Sequence, residues 1–385
     1  MGSARTRNAL IVLLLVAGCG HTEPPRTVSD DAAAGDARGR RDAASEREAA
    51  TERDAATDGD ATIERDVASD ADANRGDVMA NIADATVPSL ATVGPTYVNG
   101  TLAVDDVNVY WAALGQTPGQ NVIMKVPRAG GAAVTLAQAS VASMVADGSN
   151  VYWGYGTEGV GGGPVAIEQV PTTGGAVVTL ETPQAFGCIT QDQDNVYWTQ
   201  LGQHGDVDVV RYAKAGGAMT TLNTNVALDS LAKSIAVDDS NVYFIDGYQT
   251  AMRVSKQGGT AVTLLNNPTT GFAGCRSLAV VGDSLLLAEQ DRVVSLPATG
   301  TGGSSPTLVA LEPVGDTFEA DSAHLFWWGA LGLGGSALVV DEASLDGGAV
   351  RTLAMPVATG ISDLVVSSDG VPYWTTNSDV EWVTP

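Results

Sequence analysis

Across residues 86–385, apolar positions come in short runs separated by Gly, Asp, Asn and Pro, the signature of strands joined by tight turns. The most regular run is Asn-Val-Tyr-Trp. It occurs at Asn108-Val109-Tyr110-Trp111, Asn150-Val151-Tyr152-Trp153 and Asn195-Val196-Tyr197-Trp198, and drifts to Asn241-Val242-Tyr243-Phe244. Fainter copies stand at Ser284-Leu285-Leu286-Leu287, His324-Leu325-Phe326-Trp327 and Val371-Pro372-Tyr373-Trp374. Successive tyrosine positions are 42, 45, 46, 43, 40 and 47 residues apart. A fixed period of this size marks a repeat architecture and outranks any local propensity.

Each period holds four strands. In the second, Ser143-Met144-Val145-Ala146 leads through the turn residues Asp147-Gly148-Ser149-Asn150 to Val151-Tyr152-Trp153. A Gly-rich loop then precedes Val165–Val170, and Gly174-Gly175 reverses the chain into Val177-Val178-Thr179-Leu180. The double glycine recurs at Gly130-Gly131, Gly216-Gly217, Gly258-Gly259 and Gly347-Gly348, each time followed by a Thr-Leu strand. Four-strand units of this length are β-propeller blades. The seventh unit ends at Val380-Glu381-Trp382-Val383 without a fourth strand. Ser89-Leu90-Ala91-Thr92, which precedes the first unit at the spacing of an outer strand, is expected to fill that place and protect the edge. The fold class is therefore all-β: a seven-bladed propeller of four-stranded antiparallel blades, closed by the N-terminal strand. On this reading the aromatic runs are packing between blades.

The N-terminal stretch is organised differently. Arg5 and Arg7 precede an apolar run from Ala9 to Ala17, too short for a transmembrane helix, which needs about 20 residues. It closes on Val16-Ala17-Gly18-Cys19, which resembles a bacterial lipobox. That resemblance implies a signal peptide over 1–18, lipidation of Cys19, a membrane anchor and an outer-membrane address, because Gly20 follows instead of an Asp. Residues 19–85 carry a six-residue Arg-acid-Ala-Ala repeat from Arg41 onward. A period of six forms no stripe on a helix, and it sets Asp42 against Glu46 and Glu48 against Glu52, so a disordered, charge-extended linker is predicted. Net charge is -25 overall; 17 acids and 8 Arg lie in residues 20–85, leaving -18 on 86–385 once the two signal arginines are counted. A body this acidic disfavours nucleic acid as a partner.

The repeats resemble those of bacterial lipoproteins, common in myxobacteria, with serial Val-Tyr-Trp-Thr-Asn propeller units. More distantly they resemble the YWTD propellers of lipoprotein receptors. Tyr197-Trp198-Thr199 and Tyr373-Trp374-Thr375 keep the three-residue core, whereas Gln200 and Thr376 depart from both patterns. The resemblance implies a fold and no activity.

Candidate chemistry is sparse. The Asp-rich turns, among them Asp105, Asp147, Asp192, Asp238 and Asp321, lack calcium-loop spacing and are expected to be Asx turns. His21, His204 and His324 are scattered, so no metal site and no cofactor is expected. Cys188 and Cys275, in the third and fifth units, are a possible disulfide: an exported protein favours pairing, while the blade separation opposes it. In a meander, the Asp turns and Gly-Gly turns share one face, and the loops after Tyr-Trp and after Thr-Leu share the other. The second set varies, and variable loops on a rigid scaffold are where ligands bind. That face would carry Tyr155, Glu158, Phe186, His204, Asp206, Asp246, Tyr248, Phe272, Arg276, Glu289 and Arg292. The leading expectation is a monomeric, membrane-tethered module that binds or scaffolds a protein or carbohydrate ligand, without enzymatic activity. One alternative is a hydrolase or lyase using acids such as Asp206 or Glu289 at the channel mouth. Another is a component of outer-membrane assembly.

Overall fold

A computed structural model describes residues 89–92, 98–114, 121–156, 165–201, 206–227, 234–245, 250–265, 278–289, 292–300, 305–311, 318–330, 338–346, 350–355, 360–376 and 379–383. The chain divides into two units, Met1–Ala61 and Thr62–Pro385, and the first lies outside the described residues. So do the signal peptide, Cys19 and the linker.

Strands of the second unit form seven four-stranded antiparallel sheets, as the period predicts. Blade 1 runs through Val98–Val104, Asn108–Leu114, Asn121–Pro127 and Val134–Gln138. Blades 2 to 6 repeat that order, each from an inner strand outwards. Blade 7 takes Ile361–Val366, Pro372–Thr376 and Asp379–Trp382 from the C-terminal end, and its outer strand is Ser89–Thr92. The closure is antiparallel, with Ala91 opposite Val380 and Thr92 opposite Asp379. Between third and outer strands, the double glycines do what their position requires: Gly130 and Gly131 have φ of 85° and 139°, a region that a side chain disfavours.

Successive side chains of a strand point to opposite faces, so Tyr and Trp of one motif serve two different seams. Trp111 packs in a cluster with Tyr373 of blade 7, whereas Tyr110 packs with Trp153 of blade 2. The handover continues with Tyr152 and Trp198, Tyr197 and Phe244, Tyr243 and Leu287, Leu286 and Trp327, and Phe326 and Trp374. Every seam of the ring is thus filled by one residue from each side of the repeated motif. Asn-Val-Tyr-Trp is the glue between blades.

The join of first and last blades has a further fastening between inner strands. Buried Asp363 on the inner strand of blade 7 accepts a hydrogen bond from the Leu102 backbone N–H of blade 1 at 2.8 Å. In blade 2, Ser143 does the same for Ile189 of blade 3 at a longer 3.4 Å. A carboxylate acceptor makes the stronger bond.

Candidate binding faces

The seven inner strands surround an axial cavity of about 460 Å³. Its described lining is mostly Ala, Val, Ile, Leu and Met, with Ser143, Thr190 and Gln191; Glu319 is the one ionisable residue among the described residues there. Gln191 is committed elsewhere, donating to the Ala146 carbonyl and accepting from Lys214 Nζ. Acid–base catalysis needs converging titratable groups, commonly a pair with opposed roles. This lining does not bring such a pair together.

On the face bearing the Asp turns, geometry is repeated and fully accounted for. Asp147 Oδ1 accepts from the backbone N–H of Ser149 and Asn150, both at 2.8 Å. Asp105, Asp192, Asp238 and Asp321 bind the equivalent two amides. These are the Asx turns expected from sequence. Among the described residues, no three His, Cys, Asp or Glu side chains gather as a metal would require.

The second carboxylate oxygen has its own role, which the sequence reading missed. Tyr110, Tyr197 and Tyr243 reach back along their blades and donate a hydroxyl to Asp105, Asp192 and Asp238 at 2.8, 2.7 and 2.6 Å. At three seams a cation from the following blade meets a turn carboxylate, in one case that of a Tyr–Asp pair. Lys214 Nζ meets Asp147 at 2.8 Å and lies 5.8 Å from the centroid of the Tyr152 ring. Lys256 Nζ meets Asp192 at 2.6 Å and lies 5.4 Å from that of Tyr197. Arg128 pairs with Asp369, donates to the Tyr373 hydroxyl and bonds Ser367, closing the seam between blades 7 and 1. All three cations occupy one repeat position, directly after the third strand and two residues before the double glycine, so an alignment of the repeats against one another carries the signal.

These contacts set the electrostatics. Burial pushes the Tyr152 hydroxyl up to about 12, with the Asp147 charge adding to it. Burial alone would raise Asp192 as well, but Lys256, Tyr197 and two backbone N–H groups hold its carboxyl down at about 2. A depressed carboxylate stabilises the folded state fully above its unfolded value of about 4, and that contribution disappears as pH falls through the folded value. Thermal unfolding of wild type and Lys256→Met should therefore differ most at neutral pH. The difference should shrink between about pH 4 and pH 2 as Asp192 protonates. A gap that widens on acidification would contradict the assignment.

The opposite face is described only at its rim. Tyr155 ends the second strand of blade 2, half-buried beside the cluster of Trp153. Burial, then the charge of Glu168, raises its hydroxyl above the ordinary value. Asp206 opens the third strand of blade 3, and Glu289 and Arg292 are register partners in the blade 5 ladder. Phe186, expected on the ligand face, instead packs inward at 2% exposure. Its ring fills the seam over Gly154, where an added Cβ would come within 2.3 Å of it. The glycine after Trp153 makes room for a large side chain from the next blade, which is why Phe186 is drawn into the core. Cys188 is buried and disulfide-bonded. Cys275, its expected partner, lies outside the described residues, as do Glu158, His204, Asp246, Tyr248, Phe272 and Arg276.

Fold and repeats together define a seven-bladed β-propeller. No protein-family model matches the chain. No curated protein matches it in sequence. Among solved structures, a chain of the mitotic checkpoint complex is similar with a TM-score of 0.58 at 12% identity, over 87% of this chain and 99% of that one. A chain of the nidogen/laminin complex gives 0.37 at 16% identity, over 52% of this chain and 75% of that one. The structure of PorZ, a bacterial surface component of the type-IX secretion system of Porphyromonas gingivalis, gives 0.49 at 13% identity, covering 77% of this chain and 39% of that one. The first of these likenesses shows the propeller fold.

Proposed function

We propose that the chain is a non-catalytic binding or scaffolding propeller. It is held at the outer membrane by lipidated Cys19 and the linker over 19–85, and it presents the loops after its second and outer strands to a protein partner. The contrast between its two ends supports this reading. Asp turns and double glycines repeat on one face with little change, while the other face differs from blade to blade. Among its described residues the lining of the axial cavity is mostly apolar. Rigid blades with variable loops at one end suit recognition. The similar chain of the mitotic checkpoint complex is likewise part of a complex.

Crosslinking capture from intact cell envelopes, with the tether retained, tests the proposal. A defined protein should co-purify with wild type, and Cys19→Ser should lose both membrane association and that capture. Turnover of a sugar, lactone or peptide by the purified chain, abolished by substituting Glu289 or Asp206, would sink it.

A further inference from the structure

Every blade has two edges, an outer one at the circumference and an inner one on the axial cavity. An edge strand carries backbone groups that its own sheet does not pair. In an antiparallel ladder, opposed residues alternate between bonded and unbonded pairs. The turn bonds from the N–H of Asp105, Asp147, Asp192, Asp238 and Asp321 to the carbonyls of Asn108, Asn150, Asn195, Asn241 and His324 fix the phase of that alternation. The preceding residue of each inner strand, Val104, Ala146, Gln191, Val237 or Ala320, therefore turns its N–H and C=O out of its own blade. Three bonds that leave the blade agree with this phase. The N–H of Leu102 goes to Asp363, that of Ile189 goes to Ser143, and the Ala146 carbonyl accepts from the Gln191 side chain.

The cavity is reached from the Asp-turn end. Met144, Ile235 and Phe318, toward the loop face, are buried, whereas Val104, Gln191, Val237 and Ala320, beside the turns, keep partial exposure. These strands lie between their own second strands and the neighbouring blades, so what exposes them is the cavity. Its contents must serve the backbone, because a N–H or C=O held away from bulk water needs a partner. An anion would meet no cation in the described lining and would lose its hydration without compensation. A cation brings donors only and would leave the N–H groups unserved. A hydroxyl donates and accepts at once, which matches an edge where N–H and C=O alternate. Between these groups stand Ala, Val, Ile, Leu and Phe side chains, suited to the C–H faces of a compact carbon frame. Glu319 has an interaction of its own and is given no part in the site. At roughly 30 Å³ per water, 460 Å³ corresponds to about fifteen waters, so a molecule of about a dozen non-hydrogen atoms fits in their place.

We propose that the axial cavity binds a small uncharged polyhydroxylated molecule, a monosaccharide or polyol, which enters from the Asp-turn face and is held by the inner-strand N–H and C=O groups. Each such bond replaces one to water, so the net gain per bond is small and a dissociation constant on the order of millimolar is expected. Recognition by backbone also explains why the site survives changes of side chain from blade to blade along the inner strands. The entrance lies opposite the variable loops, and the proposal does not depend on what those loops bind.

Glycerol, myo-inositol and D-glucose, each titrated into the full chain to about 100 mM and followed by backbone amide chemical shifts, provide the test. At least one should move the amide signals of Val104, Gln191, Val237 and Ala320 saturably. Val134 and Val178 on outer strands, and Tyr155 and Arg292 at the loop rim, should stay in place. Glucose 6-phosphate, the anionic counterpart, should leave the inner-strand signals unmoved over the same range. Ala236→Phe adds a ring to the lining and should weaken the response about tenfold or more. If Ala236→Phe fails to fold, the location of the shifts in wild type decides. No saturable inner-strand shift with any of the three molecules overturns the proposal, as do shifts confined to Tyr155 and Arg292. An equal response to glucose 6-phosphate, or an undiminished one in folded Ala236→Phe, overturns it too.

Discussion

Trp198→Ala is expected to destabilise the propeller by about 3–5 kcal/mol, the range for deleting a large aromatic from a packed core. Trp198 is fully buried and shares its seam with Tyr152, Phe186 and Ile167. It also donates its indole N–H to Gln200 at 2.8 Å. Truncation would leave a cavity between two rigid sheets that cannot collapse onto it, and would strand the Phe186 ring above Gly154. Denaturant titration should show the loss as a lower midpoint with little change in slope. Val134→Ala, on an exposed outer strand, should stay within about 0.5 kcal/mol of wild type. A Trp198→Ala protein as stable as Val134→Ala would mean that the aromatic seams do not hold the blades together.

Removing the chain up to and including Thr92 should cost about 5 kcal/mol and leave a sticky edge. The lost strand pairs with Asp379–Trp382, and its buried Leu90 packs with Val380, Tyr373 and Trp382. Three or so ladder hydrogen bonds at about 1 kcal/mol and one leucine at about 2 kcal/mol give that magnitude. Exposing an unpaired strand also invites edge-to-edge association. Size-exclusion chromatography and thermal melting of the truncated chain should show self-association and a lowered transition. A monomer that melts like the full-length protein would show that some other segment completes blade 7.

The architecture was legible in the sequence because most blades carry one or both of two marks, Tyr-Trp on the second strand and the double glycine before the outer strand. Seven copies on a steady period determine the blade number, and a last unit one strand short points to its partner near Leu90. Roles beyond that period were harder to read. Phe186 was placed on the ligand face because it follows the Thr179-Leu180 strand; only the glycine opposite it, Gly154, reveals that a ring must fit there. The tyrosines were read as packing, which is correct for their rings, but nothing local says that their hydroxyls return to the Asp five residues earlier. The seam cations escaped notice because one lysine per blade is unremarkable until the copies are aligned against one another. Then Arg128, Lys214 and Lys256 fall at one position.

The role proposed for this propeller is recognition of a protein partner through its variable loops. A photo-crosslinking amino acid placed in turn at Tyr155, at Arg292 and at Asp106 in the full-length chain tests it most directly. Tyr155 and Arg292 stand at the rim of the loop face, Asp106 on the opposite one. Irradiation of intact envelopes should yield one defined protein adduct from the Tyr155 and Arg292 positions and not from Asp106. Adducts from Asp106 alone, or none from the loop rim, would contradict the account.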